Sequence, residues 1–125
     1  MEMTRRLLEA VDLAGMIGSR KKRIGIKPNL VSPSPADQGG TTHPEVVEGL
    51  IRYLQEHGFH NLAIMEGSWV GDRTEDAFRV CGYEELAGRC QVELEFGKTK
   101  LPKFEAPGGE DNRAYFYRLC EEGLH

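Results

Sequence analysis

Residues 41–67 read TTHPEVVEGLIRYLQEHGFHNLAIMEG, and this stretch decides the fold class. Val46, Val47, Leu50, Ile51 and Leu54 recur at helical spacing and form one apolar stripe. Thr42 followed three residues later by Glu45 has the spacing of a capping box. Pro44 falls in the first turn, where its missing amide has no helical partner, and Gly58 supplies the C-terminal stop. Leu62 to Glu66 then reads as a strand that ends in the Gly67-to-Gly71 loop. A capped helix running into a short apolar strand is half of a βαβ unit.

The flanks extend the unit in both directions. Upstream, Ile24 and Ile26 lie on one side of a strand that Pro28 brings to an end near Lys27. Between them and the helix, residues 28–42 carry three prolines, two glycines and two serines, which prescribes a long loop. Before this strand, Thr4 caps a helix with Leu7, Leu8, Val11 and Ala14 at helical spacing, closed by Gly15 and Gly18. Downstream, Thr74 starts a helix carrying Ala77, Phe78 and Cys81 that stops at Gly82, and Tyr83 to Leu86 adds a turn. Val92, Leu94 and Phe96 alternate with polar residues as a half-exposed or edge strand over Gln91 to Phe96. Pro102 and the Pro107-Gly108-Gly109 turn lead to a last helix around Tyr115, Phe116, Leu119 and Cys120.

The expected fold is therefore a small α/β domain, βαβαβ preceded by a helix, with a three-stranded mainly parallel sheet and helices on its faces. Placing the first strand in the middle gives order 2-1-3, a Rossmann- or flavodoxin-like topology. The last helix is the late candidate to cover Val92, Leu94 and Phe96. Failing that, a second copy of the chain covers the open edge, so a homodimer or other domains of a longer protein are the expected macromolecular partners.

Composition bounds the function. The chain has 125 residues, 39% hydrophobic and 29% charged, as one globular domain would. A net charge of −4 argues against nucleic acid, whose binders neutralise phosphates with lysine and arginine. The run Arg20-Lys21-Lys22-Arg23 reads as a solvated helix end more readily than as a phosphate patch. No run approaches the roughly eighteen apolar residues of a membrane span, and there is no signal-peptide pattern, so no membrane partner and a cytoplasmic location are expected. Cys81, Cys90 and Cys120 are odd in number, without any C-x-x-C pair, and read as reduced thiols. Neither a disulfide framework nor an iron–sulfur or structural zinc motif is expected. His57 and His60 straddle a helix end, where imidazolium is favoured, and read as that rather than as a metal pair.

Chemistry points to the carboxyl ends of the strands, where open parallel sheets bind ligands and where both loops here are long. The first loop offers the Lys27 ammonium, the Asn29 carboxamide, close backbone approach at Gly39 and Gly40, the Thr41 hydroxyl, and Thr42 and His43 at a helix N-terminus that favours an anion. An anionic small molecule, a phosphate or a carboxylate, is the expected guest. The competing reading gives Thr42 to the capping box and the glycines to a turn. The second loop contributes Glu66, Ser68 and Trp69. Trp69 either closes over a planar ligand or, more simply, anchors the loop. Glu66 and Asp72 have the chemistry of an acid/base pair or of hard-metal ligands, and equally of ordinary capping. A nucleotide-triphosphatase P-loop is excluded because Gly67 and Gly71 are one residue too close and Asp72-Arg73 stands where Gly-Lys belongs. A dinucleotide fingerprint lacks its third glycine.

Lys27-Pro28-Asn29-Leu30-Val31, then Thr41-Thr42-His43-Pro44-Glu45-Val46-Val47, then a strand ending in Glu66-Gly67, resembles the N-terminal part of the domain of unknown function 362 family over roughly residues 20 to 90. Many members of this mainly prokaryotic family carry ferredoxin-type cysteine motifs in a separate segment, so the resemblance implies a redox-linked enzyme without naming substrate or cofactor. No such motif occurs here, and no catalytic residue carries over. Members are usually longer, so residues 1–125 are expected to be one α/β domain from a truncated or N-terminal portion of a larger protein.

Overall fold

The computed structural model describes residues 1–97 and 104–124. The turn expected at Pro102 lies outside them. Three short strands, β1 (Ile24–Ile26), β2 (Leu62–Met65) and β3 (Glu93–Glu95), form one all-parallel sheet. The α/β class and the parallel pairing are as expected, but the strand order is β1-β2-β3, with β2 in the middle. Ile24 pairs with Leu62 and Ile26 with Ile64, and Ile64 pairs in turn with Leu94. The residues account for this. Leu62, Ala63 and Ile64 are all buried, as a central parallel strand requires. Arg23-Ile24-Gly25-Ile26-Lys27 and Glu93-Leu94-Glu95-Phe96 alternate, as edges do.

The corrected order decides where the helices go. Successive right-handed crossovers that always step the same way leave both connections on one face. That face carries Ile24, Ile26, Leu62, Ile64, Leu94 and Phe96, and these residues belong to the core with α3 (Pro44–Glu56), α4 (Thr74–Val80) and α5 (Tyr83–Cys90). On the opposite face Arg23 reaches past β2 to Glu93 at 2.9 Å and Glu95 at 3.2 Å. Met65 lies over Gly25 so closely that a Cβ there would sit 2.8 Å from its sulfur. This face carries charged side chains across β2 and a glycine beneath Met65.

Helix α3 buries Val47, Ile51, Tyr53 and Leu54, whereas Val46 stays half exposed. Gly58 ends the helix turn at φ 85°, a left-handed conformation that favours glycine. The expected capping box is absent. His43 is the N-cap and makes no side-chain cap, because the Thr42 hydroxyl accepts the Asn29 amide at 2.9 Å instead. The expected first helix is two: α1 (Glu2–Ala10) starts ahead of Thr4, and α2 (Leu13–Ile17) starts after Asp12, whose carboxylate accepts the Gly15 amide. Leu8, Leu13, Ala14 and Ile17 face the core, while Leu7 and Val11 do not. The turn expected over Tyr83 to Leu86 is the start of the full helix α5.

The C-terminal helix α6 (Asn112–Gly123) buries none of its residues. It does not cover β3, because Phe96 packs on Phe78 of α4 at 5.3 Å between ring centres. No helix among the described residues is long and apolar enough to cross a membrane.

Candidate functional site

The loops that leave β1 and β2 run side by side. Lys27, one residue past β1, meets Glu66, one residue past β2, with 2.5 Å between Nζ and Oε2. The pair is asymmetric: the lysine side chain is 68% exposed and the glutamate side chain 7%. The other carboxylate oxygen accepts the Gly67 amide at 2.9 Å. Further out, the Ser68 hydroxyl donates to the Leu30 carbonyl at 3.0 Å and the Trp69 amide to the Val31 carbonyl at 2.9 Å. Thr74 Oγ1 accepts the Ser68 amide, and the Trp69 carbonyl accepts the Asp72 amide. Salt bridge and hydrogen bonds thus join residues 27–31 to residues 66–69.

The long first loop is closed on itself at its base. Asn29 and Thr42 exchange backbone and hydroxyl hydrogen bonds at 2.9 Å, and the Asn29 carboxamide donates to the Gly40 carbonyl at 3.1 Å. Thr41 is buried and donates to the Ser34 carbonyl at 2.8 Å. Gly39, at φ 82°, terminates the 3₁₀ turn Ala36–Gln38, so its conformational freedom serves the turn. Cys81 donates to the Ser34 carbonyl at 3.1 Å and Tyr83 to the Thr42 carbonyl at 3.0 Å. Burial, and secondarily the nearby Cys81 and Glu45, push the Tyr83 phenol well above its ordinary range, which keeps it a donor.

The structure therefore sorts the ten candidate residues. Lys27 and Glu66 come together directly. Asn29, Gly40 and Thr42 come together to fasten the loop, and Ser68 fastens the second loop to the first. Thr41 points inward. His43 is exposed and lies 3.9 Å from Glu45. Trp69 reverses the simpler expectation: its indole is not an anchor, because the residue is 73% exposed and the backbone does the fastening. Sequence reasoning missed Ser34, Cys81 and Tyr83 as loop supports, and no local signal marks them. It also missed Glu48, a buried carboxylate of α3 that accepts from Arg52 at 2.6 Å and from Arg89 of α5 at 2.9 Å. The i,i+4 spacing of Glu48 and Arg52 is a visible signal for the first half of that triad. No group of three or more histidine, cysteine or acidic residues among the described residues has metal-binding geometry.

Fold and site define a one-sided parallel α/β domain whose distinctive surface is a pair of fastened loops at the carboxyl ends of adjacent strands. The profile named Domain of unknown function (DUF362) matches residues 24–118, and the chain belongs to that family. A separate similarity is to DNA polymerase III subunit alpha of Halalkalibacterium halodurans, 48% identical over 40 residues, and to the same subunit of Bacillus subtilis, 40% identical over 40 residues. Each covers 32% of this chain and 4% of the polymerase subunit. No solved structure matches the chain.

Proposed function

We propose that the chain binds an anionic small molecule at the carboxyl ends of β1 and β2, with Lys27 supplying the charge. The observation that carries this is the asymmetry of the Lys27–Glu66 pair. A buried carboxylate, itself held by the Gly67 amide, fixes an ammonium that is otherwise in solvent. An ammonium has three donors, and one directed at Glu66 leaves two for a guest. Holding the cation in place lowers the entropy lost when an anion arrives. The exposed glycines Gly39 and Gly40 flank the same loop base. Asn29, Thr42 and Ser68 act in this reading as positioning residues.

The wider proposal is that this anion is the substrate of a redox-linked enzyme of which the domain is a part, and that step rests on the family resemblance. A cytoplasmic location goes with it, supported by the free thiols of Cys81, Cys90 and Cys120 among the described residues, as in reducing compartments.

A second reading is favoured by one observation: Val31, Trp69 and Val70 are exposed side by side, Val70 by 94%. In that reading the loop pair docks another domain or a second copy and binds no small molecule. An ¹⁵N NMR titration with inorganic phosphate, pyrophosphate and acetate separates the two. The anion reading expects saturable shifts at Lys27, Gly40, Gly67 and Ser68. Shifts confined to other parts of the chain, or none at all, refute it and leave docking.

A further inference from the structure

Resting on the anion reading above, we infer that the guest is an anion joined to a flat ring, bound with its charge on Lys27 and its ring against Trp69. Trp69 is the single tryptophan of the chain, and it is 73% exposed although both of its backbone polar groups are occupied. Its neighbour Ser68 is tied down by amide and hydroxyl alike. The indole therefore stands on a fastened backbone and turns only about its own two side-chain torsions, which makes it a preorganised surface.

The ground between the two groups is open. A Cβ built on Gly67 meets nothing within 4 Å, and the Gly67 amide is turned to Glu66. Glu66, which accepts from Lys27, and Trp69 are joined by at most about 10 Å of backbone, which sets both groups on one short segment. Size decides between a ring and a protein surface. The exposed apolar patch comprises Val31, Trp69 and Val70. A large aromatic buries about 150 to 250 Å², while a stable protein interface needs about 800 Å² from each side. Three exposed side chains fall far short of the roughly 20 to 30 residues a side that such an interface uses.

Trp69 is its own reporter. Its fluorescence is followed while the whole chain is titrated with adenosine monophosphate, with inorganic phosphate and with adenosine. NMR shifts at Lys27 and Gly67 are recorded in parallel. The inference expects saturable quenching by the nucleotide, with phosphate binding about tenfold more weakly or worse and competing with it. Tenfold corresponds to about 1.4 kcal/mol, within the range of base–aromatic stacking. Trp69→Ala, followed by NMR, is expected to bring nucleotide affinity down to that of phosphate. If phosphate and nucleotide shift Lys27 equally and Trp69 does not respond, the ring subsite is wrong and the anion site stands. If neither ligand shifts Lys27, the anion reading fails and this inference fails with it.

Discussion

Lys27 and Glu66 each lie one residue beyond a neighbouring parallel strand, and their 2.5 Å contact joins an exposed ammonium to a buried carboxylate. Lys27 supplies the charge and Glu66 holds it in place, so losing either partner is expected to weaken the binding of an anion. Glu66→Gln leaves one acceptor oxygen where Lys27 and the Gly67 amide now use two, so the ammonium loses its fixed partner. A freed ammonium must be ordered again by the guest, at about 1 kcal/mol for a long side chain, and severalfold weaker binding of pyrophosphate is expected. Unchanged or tighter binding, measured by calorimetry, would show that the carboxylate does not preorganise the ammonium.

Glu48 pairs with Arg52 within α3 and ties α3 to α5 through Arg89. The hydrogen bond from Arg52, against the opposing effect of burial, keeps its carboxyl below the ordinary value of 4.5. A folded-state value below the unfolded one stabilises the protein above the unfolded value and loses that effect as pH falls through the folded value. Glu48→Gln is expected to lower stability by about 1 to 3 kcal/mol. In urea unfolding, the gap between wild type and variant should be constant near neutrality and close below about pH 4.5. A gap independent of pH would assign the loss to packing.

Gly49 lets α1 cross α3: a Cβ there would lie 3.0 Å from Thr4 Cβ and 3.1 Å from the Met1 carbonyl oxygen. Alanine gains about 1 kcal/mol of helix propensity over glycine, and α1 buries no residue. The gain in α3 should offset the lost contact. Gly49→Ala is thus expected to keep the global unfolding midpoint within about 1 kcal/mol of wild type while amide protection in α1 falls. Full protection of α1 in the variant would refute the close crossing.

Helix α6 contributes nothing to the core. A chain ending at Asp111 is expected to unfold within about 0.5 kcal/mol of the full chain, as surface changes do. A large loss would mean that α6 packs in solution.

How much was legible follows from physical scale. The helix at Pro44–Glu56, the strand at Leu62–Met65 and the loop positions rest on local periodicity and on proline and glycine, and these are readable along the chain. The strand order is a matter of which strand is apolar on both faces. The information was present in the unbroken Leu62-Ala63-Ile64 and in the alternation around Ile24 and Leu94, but it needs the three strands compared with one another. Hydroxyl partners were not legible. Thr42 at capping-box spacing bonds Asn29 instead, because a contact across the loop base competes with the local cap at similar strength. Burial of Thr41 and exposure of Trp69 depend on how two loops pack together, which no local pattern encodes.

The central claim is that Lys27 receives an anion, and the affinity of pyrophosphate for wild type and Lys27→Ala, measured by NMR titration under matched low salt, tests it most directly. A loss of about tenfold or more is expected for Lys27→Ala, equivalent to removing a charge-assisted contact of about 1.5 kcal/mol, with the unfolding midpoint little changed. Equal affinity in the two proteins, or a variant that loses its fold while the wild type binds no anion, would contradict it.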